Sequence, residues 1–297
     1  MLTDAHCHIF DLVHMSSTTP GMTETGKERC FLPCAATRAI TCAASAWNKT
    51  EFEFHEQFAR LAARDAARLA AREAMKASGV SIVLCFAVHP QLPAVKPEEV
   101  EASLETLYNL AAGNRLRAIG ETGFDLFNAQ GRPAGGVDYR MTEKVQEELF
   151  NAHLDLAAAK GLPLVLHLRR AMNKVFAYSK QLKKLPSVIL HSYSGTYEDG
   201  QALLRRGINA YFSFGTPILL NHKTARSACA RLPLGRLLSE TDAPYQPLRK
   251  EPFSHWGNLP AIVEEMARLR EEPVNTEDLM AIIEDNFQRA YGCVYTD

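Results

Sequence analysis

The chain has 297 residues, 46% apolar and 23% charged, with a formal net charge of −1. That composition fits a globular enzyme and argues against a broadly basic nucleic-acid clamp, although a local basic rim or bound metal ions can still serve a nucleic-acid substrate. No run approaches the roughly 18 apolar residues of a membrane span, and a start carrying Asp4, His6 and His8 predicts no signal peptide.

Seven cysteines, Cys7, Cys30, Cys34, Cys42, Cys85, Cys229 and Cys293, are odd in number and scattered. This predicts a reduced, cytoplasmic protein, and Cys30 and Cys34 read as ordinary thiols rather than half of a zinc site.

In chain order, β-branched and apolar runs at 2–10, 39–45, 81–90, 116–125, 163–169, 187–193, 209–215 and 236–244 predict strands. Between and after them, helical periodicity falls at 52–78, 97–113, 141–160, 171–184, 197–206, 220–231, 258–271 and 276–291. Residues 13–38 have no clear period and are rich in Ser, Thr, Pro and Gly, which predicts a long loop after the first strand. Eight alternating β and α units predict parallel pairing and an α/β fold closed as a (β/α)8 TIM barrel, one domain over 1–297. No Gly-rich phosphate motif follows any strand, which disfavours a doubly wound nucleotide binder.

The chemistry-bearing residues collect at matching positions. His6 and His8 come near the end of the first strand, Glu121 near the end of the fourth, His167 the fifth, His191 the sixth and Asp242 the eighth. Residues two apart on a strand point the same way, and barrel strands converge at their C-terminal ends, so the six share one face. Four imidazoles and two carboxylates removed from water need a cation, and this donor set suits a transition-metal ion better than calcium. Six donors exceed one tetrahedral ion, so two divalent ions bridged by Glu121 are expected. Asp4, deeper on the strand, reads as a residue that orients the site. The arginines at 60, 64, 68 and 72, and the cations from Arg169 to Lys184, read as solvated helix faces ahead of the alternative, contact with a phosphate backbone.

The motifs DAHCH (4–8), VHP (88–90), AIGETGFD (118–125), LHLRRA (166–171), HSYSG (191–195), YFSFG (211–215), LLSETDAPY (237–245) and EDNFQRAYG (284–292) occur in order along nearly the whole chain. In these the sequence resembles the TatD family of metal-dependent deoxyribonucleases, within the amidohydrolase superfamily. The resemblance implies that His6, His8, Glu121 and Asp242 hold one ion and that Glu121, His167 and His191 hold the other, the ions being Zn, Mn or Mg. Glu121 would stand where many amidohydrolases carry a carboxylated lysine. His89, Arg169, Ser194 and Tyr245 match positions lining the family's active-site face. Arg169 reads either as a phosphate contact or as a rim salt bridge.

Four features depart from the family pattern and bear on substrate identity: the 13–38 loop, Gln91 in place of a histidine, the Gly-rich 127–141 segment, and LRKEPFSHWGNLP after the last strand. The function expected is metal-assisted hydrolysis of DNA, as a 3′-to-5′ exonuclease on single strands, with Asp242 shuttling the proton and Glu121 bridging the metals. The alternative is hydrolysis of another ester or amide by the same site, such as an aminoacyl-tRNA or a small molecule. DNA is the one partner expected; no protein partner is implied, and the chain is expected to be a monomer or weak oligomer.

Overall fold

The computed structural model describes residues 1–19, 39–72, 79–126 and 139–292; side chains are described from 40 in the second strand, to 63 in the helix that begins at Lys49, and from 143 in the helix that begins at Tyr139. Eight strands form a single parallel sheet in sequential order: β1 (Leu2–Cys7), β2 (Ala39–Ala46), β3 (Gly79–Phe86), β4 (Ala118–Asp125), β5 (Leu164–Arg169), β6 (Val188–Leu190), β7 (Ala210–Phe214) and β8 (Leu237–Ser239). The β1–β8 seam is closed beyond the short eighth strand. Asp242 donates its N–H to the His6 carbonyl at 3.0 Å, and His8 donates to the Ala243 carbonyl at 2.7 Å. The fold is therefore the (β/α)8 barrel that the alternation predicts.

The described helices are α1 (Ile9–Thr18), α2 (Lys49–Arg72), α3 (Leu92–Val95), α4 (Val100–Ala112), α5 (Tyr139–Lys160), α6 (Met172–Ala177), α7 (Ser179–Leu182), α8 (Tyr197–Arg205), α9 (Lys223–Arg231), α10 (Leu259–Leu269) and α11 (Thr276–Tyr291). Their apolar stripes cover the outward faces of the strands. Ile40, Cys42 and Ala44 of β2, Leu164 and Leu166 of β5, and Phe212 and Phe214 of β7 all join this outer core.

The structure corrects several expected boundaries. The first strand ends at Cys7 rather than residue 10, and Ile9 starts a helix that runs into the expected loop as far as Thr18. Ile9, Leu12 and Ser16 supply its buried face. The Ser and Thr residues that suggested a loop are accommodated because their hydroxyls donate back to carbonyls one turn earlier: Ser17 to His14 at 2.7 Å and Thr19 to Met15 at 2.7 Å. The rest of that loop, residues 20–38 with Cys30 and Cys34, lies outside the described residues, as do 73–78 and 127–138. The expected helix 171–184 is two short helices that break at Tyr178, whose buried ring meets Phe150 edge-on at 4.8 Å. The expected helix 220–231 begins only at Lys223.

Inside the barrel the layers differ. Val165, Ile189 and Leu238 lie two residues before His167, His191 and Glu240, so they share the inward face one layer deeper. With Ala5, Ala43, Val83, Cys85, Ala118 and Tyr211 they form an apolar floor. The end of α11 plugs it from below with Phe287, Ala290 and Tyr291, the Tyr291 hydroxyl donating to the Ala5 carbonyl at 2.6 Å.

Candidate metal centre

The strand ends bring the six predicted donors together around Glu121, the fourth residue of β4. One carboxylate oxygen, Oε2, lies 3.2 Å from His6 Nε2, 3.5 Å from His8 Nε2 and 3.4 Å from His89 Nε2. The other, Oε1, lies 2.7 Å from His191 Nε2 and in direct contact with His167 Nδ1. Asp242 Oδ1 stands 3.7 Å from both His6 Nε2 and His8 Nε2. His6 and His8 approach each other at 3.2 Å between Nε2 atoms, as do His167 Nδ1 and His191 Nε2. All six side chains are buried.

Glu121 thus faces one set of imidazoles with each oxygen. Three triads of donor atoms each converge within 4.8 Å: His6, His8 and Glu121; His6, His191 and Asp242; His89, Glu121 and His167. His89, assigned from the sequence to substrate contact, is therefore also placed to ligate.

The electrostatics follow from this packing. Burial raises the Glu121 carboxyl, but His191, His89, His167 and His6 around it outweigh that and hold it well below the usual carboxylate range. Burial pulls His8 down, while the bond to Glu121 and the charges of Glu121 and Asp242 carry it up to about 9. Burial likewise opposes protonation of His191, and Glu121 and Glu240 hold it well above its ordinary value. The cluster draws positive charge into a buried space, and ring nitrogens of His6 and His8, and of His167 and His191, converge in pairs at 3.2 Å. Both features fit divalent cations, which that donor set can hold.

A surrounding set of polar groups orients the donors, and sequence reasoning assigned no role to most of it. Ser45 Oγ lies 3.2 Å from His6 Nδ1, and Asp125 Oδ2 lies 3.2 Å from His167 Nε2, which turns Nδ1 toward Glu121. Asp125 is itself held by Gln91 Nε2 at 2.5 Å and by its own backbone N–H donating to Gln146 at 3.0 Å. Glu240, fully buried, sits 3.6 Å from His191 Nδ1 and accepts the Ser192 N–H at 2.6 Å. Gln246 Nε2 donates to Asp242 Oδ2 at 2.7 Å, leaving Oδ1 toward His6 and His8. Such partners fix ring orientation and ligand basicity. Asp125 and Glu240 lie within quoted motifs, and their spacing of four from Glu121 and two from Asp242 was the available signal.

Asp4 stays outside the cluster. Its carboxylate accepts the Thr241 N–H at 2.9 Å and hydroxyl at 2.6 Å, and burial pushes it up to about 8. It ties β1 to the residue before Asp242. That position is worth restraining, because Asp242 has φ +52°, a left-handed conformation costly for a residue other than glycine.

The remaining predicted residues line the cleft above the cluster, a cavity of about 840 Å³. Arg169 reaches within 3.5 Å of Asp125 Oδ2 with nearly half its side chain exposed, so rim ion pairing is present and part of the guanidinium faces the opening. Ser194 is exposed just beyond β6, the neighbour of β5 in the sheet. Tyr245 meets His8 edge-on at 5.1 Å and donates to Asp11 at 2.6 Å, which holds its ring across the mouth.

Not every histidine serves the cleft. His55 Nε2 accepts the Phe10 N–H at 3.1 Å and His153 Nε2 accepts the Val88 N–H at 2.9 Å, so both act as buried neutral acceptors. Burial lowers them to about 3 and about 4.

An eight-stranded parallel barrel with a buried His/Glu/Asp cluster at its C-terminal mouth has the architecture of a metal-dependent hydrolase. A family profile described as TatD related DNase matches residues 3–292. The chain belongs to the TatD family of metal-dependent hydrolases. Among its relatives, one from Mycobacterium tuberculosis carries the name uncharacterized metal-dependent hydrolase TatD. It is 32% identical over 211 residues, covering 69% of this chain and 75% of the relative. A protein of Pantoea ananatis, called 3′-5′ ssDNA/RNA exonuclease TatD, is 32% identical over 196 residues, covering 64% and 71%. In fold the chain is similar to the crystal structure of YJJV, a TatD homologue from Escherichia coli, at TM-score 0.68 and 23% identity over 99% of this chain and 98% of that one. A TatD family hydrolase from Entamoeba histolytica gives TM-score 0.70 at 16% identity, over 98% and 97%.

Among the described residues no helix is long and apolar enough to cross a membrane.

Proposed function

We propose that this protein is a two-metal exonuclease that removes nucleotides from the 3′ end of single-stranded DNA. The observation that carries the reading is the depth of the donor cluster at the bottom of a concave cleft, a shape that admits a strand end more readily than the middle of a duplex. The name of the Pantoea relative supports the same substrate class, RNA included.

In this reading His6, His8, Glu121 and Asp242 would hold one ion, and Glu121, His167 and His191 would hold the second. Bound there, divalent ions such as Zn, Mn or Mg would lower the pKa of a water to about 7 and offset charge on the phosphodiester oxygens. Asp242, its Oδ2 pinned by Gln246, takes the proton from the attacking water through Oδ1. The new bond is water oxygen to phosphorus, and the bond that breaks joins phosphorus to the 3′ oxygen of the preceding nucleotide. Asp242 returns the proton to that oxygen. Arg169, its guanidinium partly exposed beside Asp125, contacts a nonbridging oxygen, and His89, Ser194 and Tyr245 border the bound strand.

The test is turnover of 3′-labelled and 5′-labelled single-stranded oligonucleotides beside an aminoacyl-tRNA, with Mg, Mn and Zn supplied in turn. Stepwise shortening from the 3′ end supports the reading. Deacylation of the tRNA with the oligonucleotides intact under every metal rejects it.

A further inference from the structure

The cleft has a wall that the metal chemistry does not use. Trp47, the first residue beyond β2, and Val95 and Lys96, at the end of α3, line it on one side. The Lys96 ammonium lies 4.8 Å from the centre of the Trp47 ring and 3.0 Å from Glu99. A second hollow of about 430 Å³, bordered by Phe10, Lys49, Thr50 and Thr106, also has Trp47 and Lys96 in its lining. The pair forms a ridge shared by both hollows, so the surface leads from the donor cluster over an indole and an ammonium and onward. Across the mouth, beyond β7, the cleft is bordered by buried Phe214, Ile218 and Ala225 and by exposed Leu220 and His222. β3 and β7 lie opposite each other in an eight-stranded ring, and the arm beside β2 and β3 is the one that shares Trp47 and Lys96 with the second hollow.

Trp47 is held in place by local bonds. Its backbone N–H donates to Glu51 at 3.2 Å, the Glu51 N–H donates to Asn48 Oδ1 at 3.0 Å, and Asn48 Nδ2 donates to the Glu51 carboxylate at 2.6 Å. The Ala87 N–H donates to the Ala46 carbonyl at 3.2 Å, which fastens β2 to β3 just before it. Part of the ring packs on Val88 and Leu92, and the side chain remains only partly buried. Val95 beside it is 67% exposed, an apolar side chain that water does not favour.

Building on the exonuclease reading, we propose that Trp47 is a stacking platform for an unpaired nucleobase of the substrate strand, with Lys96 serving the adjacent phosphate. A rigid aromatic face beside a long flexible cation is the combination single-stranded nucleic acid uses, because every base has a π-face and every step carries a charge. The base takes the open part of the indole, Val95 borders it, and the Lys96 ammonium turns from Glu99 to the phosphate. The strand then leaves over the second hollow. Trp47 and Lys96 would set affinity for strands longer than the released nucleotide, and so the preference for oligonucleotides over small diesters.

The experiment compares wild type, Trp47→Ala, Trp47→Phe and Lys96→Gln on a single-stranded decanucleotide and on bis(p-nitrophenyl) phosphate, too short to reach the ridge. The expected result is a fall of about tenfold in the ratio of kcat/KM for the decanucleotide to that for the small diester in Trp47→Ala, carried by KM. Trp47→Phe should recover most of that ratio, and Lys96→Gln should weaken the salt dependence of KM. In an Asp242→Asn background the decanucleotide should also quench indole emission, and Trp47→Phe should remove the quench, since the other tryptophan, Trp256, is buried. An unchanged ratio, or an equal fall on both substrates, overturns the platform while leaving the exonuclease reading intact. No hydrolysis of any oligonucleotide by the wild type overturns both.

Discussion

The two ends of the barrel are built from opposite materials on the same strands. Toward the C-terminal ends the inward face carries His6, Glu121, His167, His191 and Asp242; one layer down it carries Val165, Ile189 and Leu238, closed from below by Phe287 and Tyr291. The upper layer gathers ionisable groups out of water, where each is costly to bury without a partner or a cation. The lower layer buries mainly apolar side chains, and the Tyr291 hydroxyl among them finds the Ala5 carbonyl. The difference shows how a barrel separates duties: stability is held at the floor, so the mouth can carry costly charge and a left-handed Asp242.

The sharpest way to break this division is Asp242→Asn. It should lower kcat by about 10² to 10⁴-fold on whichever substrate is turned over, while the thermal midpoint stays within a few degrees of wild type. A large drop in midpoint with a modest drop in rate would place Asp242 on the stability side. The floor should behave in reverse. Phe287→Ala, which empties a fully buried aromatic site, should cost about 3–5 kcal/mol in urea unfolding and leave metal affinity of the folded protein near wild type.

Between the two layers stand the orienting residues. Asp125→Ala frees His167 Nε2 and should weaken metal binding about 10- to 100-fold in a competition titration against a chelating dye. Affinity equal to wild type would mean that strand packing alone orients the ring.

A smaller effect concerns the histidines away from the cleft. His55 and His153 have folded values near 3 and 4, below the ordinary 6.5, so the unfolded chain binds protons first as pH falls. Their contribution is complete above about pH 6.5 and is lost as pH drops through the range down to the folded values. Between pH 6.5 and 5 each should remove up to about 2 kcal/mol, read as a falling urea midpoint. His153→Gln should flatten part of that slope; an unaltered slope would show that His153 does not titrate on unfolding.

How far the sequence reached differs by residue for identifiable reasons. The six donors were legible because each sits at or just beyond a strand, and strand periodicity with parallel order sends those positions to one mouth. Asp125, Glu240, Ser45 and Gln246 were not, because whether a polar residue meets a ring two strands away depends on register and on the few ångströms separating Oδ2 of Asp125 from Nε2 of His167. Helix α1 was hidden by Ser and Thr, whose hydroxyls suit a loop until they turn back onto the helix's own carbonyls. His55 and His153 carry no sequence mark that separates a neutral core acceptor from a ligand; the backbone N–H each one meets makes the distinction.

By itself the sequence determined the alternation of strands and helices, hence the parallel barrel, and the set of imidazoles and carboxylates delivered to its C-terminal end, because both follow from local periodicity and chain order. Only the tertiary structure decided that Glu121 divides its two oxygens between two groups of histidines, that His89 joins one of them, and that Trp47 and Lys96 meet at the cleft wall. Those are distances between residues far apart in sequence, set by packing across the barrel, and no local pattern encodes them.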